Sequence, residues 1–198
     1  MKTTYLPAAL ALLGIGWGLA GLGMTGHMAA HMIAVALAAP LLALALGGSG
    51  ADPAHRWPAM VTPLAMSLIE LAVVWIWHLP ALRAAAGHAP ALLMVEQLCF
   101  LGVGVLLWSA VLARPQAARA SGVGALFLTS MHMTLLGALI GLAPRPLYRA
   151  MSHASPFGMS ALQDQQLAGV VMLLIGGAAY LVGGLAVLGG LLRQETVT

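Results

Sequence analysis

The chain has 198 residues, of which only 7% are charged, against roughly 25% in a typical soluble domain. Thirteen charges cannot cover a soluble surface of this size, and a hydrophobic content of 61% with a mean hydropathy of +0.97 excludes a disordered chain as well. The composition is that of an integral membrane protein.

A helical span needs about 20 mostly apolar residues. Turn residues cut the chain into six such segments, 5–22, 27–46, 59–78, 91–112, 122–142 and 161–192, which predict an all-α polytopic bundle forming a single transmembrane domain over 1–198. The first carries a GxxxG pair, Gly14 and Gly18, of the kind that lets transmembrane backbones approach closely. Its Lys2 and the small pair Gly18 and Ala20 also resemble a cleavable secretory signal; an uncleaved helix is the reading adopted. The second opens with Met24, His27, Met28 and His31. A polar loop rich in glycine precedes the third, which carries Glu70 and ends in Trp75, Trp77 and His78 before Leu79-Pro80. His88 and Pro90 precede the fourth, with Glu96 and Gln97 in its first two turns. In the fifth, Met131 and Met133 flank His132. The sixth begins with a predicted capping box, Ser160 and Gln163, followed by Asp164-Gln165-Gln166, and repeats glycine at 169, 176, 183 and 190 as a packing seam.

Orientation is read from Lys and Arg in short loops. With the N-terminus inside, Lys2, Arg56, Arg114, Arg119 and Arg193 lie inside, and Arg83, Arg145 and Arg149 lie outside. That bias predicts both termini in the cytoplasm. It also brings polar residues of four helices to the outer face: His27 and His31, His78, Glu96 and Gln97, and Asp164. The basic pI of about 9.6 arises from single scattered charges rather than the clustered face that nucleic acids require. Cys99 is alone, which removes disulfide, zinc-ribbon and thioredoxin-like chemistry. No nucleophile–base pair argues for an enzyme.

Met24, His27, Met28 and His31 fall within an arc of about 100° on one helix face. Two imidazoles at i and i+4 can ligate one metal, and thioethers beside them favour a soft ion such as Cu(I). The same residues also fit a structural role, with methionines filling gaps and each histidine taking a backbone partner. Asp164 fits a complement to its own helix N-terminus. Glu70 and His132 lie deeper, about 12 and 15 Å below the outer end by helical rise. An ionisable group there is a functional candidate by default, and a Glu70–His132 hydrogen bond is expected.

Gly26-His27-Met28, His31-Met32 and Ala39-Pro40-Leu41 resemble the signature helix of the CtaG-type cytochrome c oxidase assembly proteins. Trp77-His78-Leu79-Pro80-Ala81, Glu96, Leu136-Gly137-Ala138, Pro146-Leu147-Tyr148 and Asp164-Gln165-Gln166-Leu167-Ala168-Gly169 recur in that family in similar order. The resemblance implies a multi-pass protein of the bacterial plasma membrane that helps build haem–copper oxidases through copper supply, with an oxidase subunit as partner. The chain departs from the family in having six expected spans instead of about seven, and Gln97 where the family places a histidine after the glutamate. On this reading Cu(I) sits near the outer face on His27, His31 and His78, with Met24 or Met28 as soft auxiliary ligands and Glu70, His132, Glu96 and Asp164 as supporting or deeper groups. Two alternatives stay open. One is a b-type haem protein, with His27 or His31 opposite His78 or His132; the other is a non-catalytic accessory subunit of an oxidase.

Overall fold

A computed structural model of the chain describes residues 2–113, 119–148, 155 and 158–195. Every regular element among them is helical. Helix α1 is Lys2–Leu19, α2 is Gly23–Leu46 and α3 is a single turn, Pro53–Arg56. Helix α4 is Pro63–Trp77, α5 is Pro80–His88, α6 is Pro90–Leu112 and α7 is Arg119–Gly141. The last, α8, is continuous from Ala161–Val171 through Met172–Gly176 to Gly177–Glu195. Arg114 and Arg149, used above for the charge count, lie outside the described residues.

Among the described residues four helices, α2, α6, α7 and α8, are long and apolar enough to cross a membrane. The pair α4 and α5, bent by 69° at Leu79-Pro80, makes a fifth if counted as one broken span. Helix α1 is apolar but shorter over Thr4–Leu19. Where six full spans were expected, length and composition show four or five candidate spans among the described residues. Two helices fall short, α1 over Thr4–Leu19 and α4, whose 15 residues reach only about 22 Å. Proline removes a backbone donor and suits the first helical turn, and Pro63, Pro80 and Pro90 each sit in one. The loop expected between the third and fourth spans is instead helix α5. Leucines such as Leu139, Leu174 and Leu185 remain more than half exposed, as a lipid-facing belt requires. The chain is a multi-pass helical membrane protein.

Close packing follows the small residues. A Cβ added to Gly137 would lie 2.7 Å from the Leu173 amide nitrogen, and Gly169 abuts the backbone of Gly141. Gly176 makes room for Met32 and Met133, and Gly183 for the Trp108 ring, while Gly190 faces open space. Three of the four repeated glycines thus hold α8 against its neighbours. A Cβ added to Gly14 or Gly18 would meet nothing within 4 Å; the close approach in α1 is Gly16, whose added Cβ would stand 3.2 Å from Ile33. The period was right for α8 and off by one face for α1.

Two π turns interrupt the long helices, Ile33–Ala38 in α2 and Met172–Gly176 in α8, and they lie against each other. Such turns free backbone carbonyls from the helical ladder and occur often at functional sites. Here the Val35 carbonyl accepts from Trp108 Nε1 at 3.1 Å and from the Tyr180 hydroxyl at 3.3 Å. We expect Gly169→Val to destabilise the protein by about 1–3 kcal/mol through overpacking, and Gly190→Val to leave it unchanged; thermal unfolding of the two purified variants in one detergent checks this.

Candidate functional site

The polar residues of the bundle gather at the end marked by the start of α2, the end of α4, α5 and the starts of α6 and α8. Their placement begins with how α2 starts. Gly23 adopts φ +65°, a left-handed conformation that glycine alone takes without cost, and its missing Cβ leaves space for the Asp164 carboxylate. That carboxylate accepts from the amides of Met24 at 2.8 Å and Thr25 at 3.0 Å, and the Thr25 hydroxyl donates to the Asp164 carbonyl at 3.0 Å. Asp164 thus caps α2 from across the bundle and corrects the expectation that it serves its own helix. The α8 start is closed instead by the predicted Ser160–Gln163 capping box. Gln165 ties the loop after α7 down, its side chain accepting from Leu147 N at 2.6 Å and donating to the Ile140 carbonyl at 3.1 Å.

With α2 anchored, Met24, His27, Met28 and His31 are all buried, and so is His78 at the end of α4. The ring centroids of His31 and His78 are 5.2 Å apart, and those of His27 and His78 are 6.2 Å apart. Phe100 of α6 stacks on His31 at 3.9 Å and fixes its plane. The His78 Nδ1 lies 2.7 Å from the Val74 carbonyl, an acceptor, so Nδ1 carries the hydrogen and Nε2 keeps its lone pair. That Nε2 has no hydrogen-bond partner, and neither nitrogen of His31 has one. The Tyr148 hydroxyl donates to the His78 carbonyl at 2.8 Å. Burial pushes that phenol up to about 12, so it remains a donor through the physiological range.

The third imidazole is held differently. Arg83, read above as an outer loop charge, lies on α5 and is 1% exposed. Its guanidinium pairs with Glu96, and Nη1 stands 3.2 Å from both ring nitrogens of His27, donating to the one with the lone pair. The Arg83 guanidinium thus occupies the position from which a cation would approach His27. Among the described residues no three or more of His, Cys, Asp and Glu are placed to hold a metal ion. Three imidazoles converge as the spacing suggested, but only two present open nitrogens. Gln97 is buried with both amide atoms unpartnered.

Deeper in the bundle, the expected Glu70–His132 hydrogen bond is not formed. Glu70 accepts from the Tyr180 hydroxyl of α8, and His132 has no hydrogen-bond partner at either nitrogen. Both Arg83 and Tyr180 were missed in the sequence. The available signal for Arg83 was elementary: Glu96 buried on α6 needs a cation, and Arg83 is the sole basic residue between Trp77 and Pro90 apart from His78 and His88. No comparable signal singled out Tyr180 among the apolar residues of α8.

Removing one partner of a buried ion pair strands the other charge. We expect Arg83→Met to cost about 3–5 kcal/mol, and Arg83→Met with Glu96→Leu to recover most of that loss; a double-mutant cycle from thermal or denaturant unfolding measures the coupling.

Among curated proteins and among solved structures, none matches the chain. A family model does, over residues 5–194, and its description is cytochrome c oxidase caa3 assembly factor. It covers α1 to the last turn of α8 and every residue of the cluster. The chain therefore belongs to the Caa3_CtaG family of cytochrome c oxidase caa3 assembly factors.

Proposed function

We propose that the protein is a copper-handling factor for oxidase assembly, which holds Cu(I) as cargo at the outer end of the bundle. The observation that carries this reading is the pair of buried, unpartnered imidazole nitrogens on His31 and His78, with ring centroids 5.2 Å apart. A buried polar atom without a partner is costly, and a soft cation satisfies both rings at once. The Nδ1 hydrogen bond of His78 to the backbone orients that ring as it orients metal-bound histidines elsewhere. Met24 and Met28, both buried beside these rings on α2, supply thioethers that favour Cu(I) over zinc and hard cations. His27 joins as a third ligand only when Arg83 is displaced from it. The non-catalytic character of an assembly factor agrees with a site built to hold and release an ion. The partner in this reading is a subunit of a haem–copper oxidase, and the location is the bacterial plasma membrane with both termini in the cytoplasm.

Replacing His31 by Ala should abolish copper retention by purified protein loaded under reducing conditions. Replacing His55 should not. His55 lines a cavity with Ser109 and Leu112, and these stand at the other end of α6, about 20–24 Å along the helix from Glu96. Metal analysis of the three proteins decides the matter, and wild-type protein without copper refutes the reading. An absorption spectrum of the same samples tests the haem alternative, since bis-histidine haem is coloured and Cu(I) is not. A reporter fused after the last residue should be active in the cytoplasm; activity confined to the periplasm would reverse the assigned orientation.

A further inference from the structure

The acids of the bundle are not alike. Asp52 accepts from the amides of Gly48 and Ala54, each at 3.0 Å. Asp164 accepts from two amides of α2, and Glu96 faces a guanidinium. Glu70 has neither. It is fully buried, no basic side chain among the described residues pairs with it, and its Oε2 has no partner. Its Oε1 accepts from the hydroxyl of Tyr180, also fully buried, and the Thr129 hydroxyl, which pairs with Ser67, lies near the same carboxyl.

The hydrogens around Tyr180 can be counted. Its oxygen lies within hydrogen-bonding distance of Glu70 Oε1 and of the Val35 carbonyl, the latter at 3.3 Å, and the Trp108 N–H that donates to that carbonyl also lies beside it. A phenol carries one hydrogen, and a carbonyl can only accept. If Glu70 were a carboxylate, Tyr180 would face two acceptors with one hydrogen, and a full charge would stand in the core with no counter-ion, met only by the hydroxyls of Tyr180 and Thr129. A buried charge without a counter-ion is the costliest arrangement the interior allows. A hydrogen on Oε1 resolves both problems. The acid O–H then donates to the Tyr180 oxygen, and Tyr180 donates to the Val35 carbonyl, which the π turn of α2 has freed.

We propose that Glu70 is a proton-binding site inside the membrane, occupied as the neutral acid and wired through Tyr180 to the π turn of α2. The ligand is a proton, held by an O–H bond of the carboxyl and released only by breaking that bond. Loss of that proton commits the Tyr180 hydrogen to the carboxylate, because hydrogen bonds to charged acceptors are about twice as strong as neutral ones. Val35 then keeps Trp108 alone as donor. Occupancy at Glu70 is thereby felt at residue 35 of α2, one turn beyond His31. None of this depends on whether the histidine cluster binds copper.

Infrared difference spectra of the full chain in lipid at neutral pH test the proposal. Wild type minus Glu70→Gln should show the carbonyl stretch of a protonated carboxylic acid, shifting on exchange into D2O. Glu96→Gln should show carboxylate bands instead and serves as the internal reference. Tyr180→Phe should move the frequency of the acid band without removing it, an effect that a merely packing role for the phenol would not give. Glu70→Gln keeps a neutral N–H donor and should unfold at the wild-type temperature, whereas Glu70→Leu should unfold lower. Carboxylate bands in the Glu70→Gln difference spectrum, with no acid carbonyl band, would overturn the proposal and leave the copper reading untouched.

Discussion

A guanidinium cannot be left unpaired inside a helical bundle, and the arrangement at the histidine end follows from how Arg83 is satisfied. Its pairing with Glu96 draws α5 over the start of α6. Its contact with the His27 ring then ties α5 to α2. The chain reaches this position only by turning sharply after α4, which places His78 beside His31. The ion pair therefore organises the cluster as well as occupying part of it. In water such a pair contributes little; inside the bundle the cost of stranding either member makes it a strong constraint on where α5 can go.

Asp164 acts on the same end by a different route. By capping α2 from the opposite side of the bundle it sets the height at which that helix begins, and hence the level of His27 and His31 relative to His78. One anion meets two free amides of a helix N-terminus, where negative charge is favoured. The family's Asp-Gln-Gln segment thus has a physical reading in this chain: Asp164 positions α2, and Gln165 secures the loop after α7.

The helical class, the long spans and the convergence of His27, His31 and His78 were legible because each rests on local rules. Apolar length specifies a span, helical spacing puts residues 24, 27, 28 and 31 on one face, and alternation of direction sends the ends of α2, α4, α6 and α8 to one side. What could not be read depends on contacts between residues far apart in sequence. Asp164 sits 140 positions from the amide it caps, and Tyr180 is 110 from Glu70; no pattern on α8 alone signals either partner. Depth was also misleading. Glu70 and His132 lie at similar estimated heights, yet equal height says nothing about facing, and Glu70 turns to α8. The π turns were invisible for a related reason, since an extra residue in a helical turn leaves the hydropathy unchanged.

The shortness of α4 has a consequence for the bilayer itself. A hydrocarbon core is about 30 Å thick, and a helix of about 22 Å cannot bring its last residue to the far surface without help. A stretch shorter than the core is accommodated in general by local thinning of the lipid, and here α5 turns through 69° and continues the chain sideways. Lipid packed beside α4 is therefore expected to be thinner than lipid beside α6 and α7, which have 23 residues each.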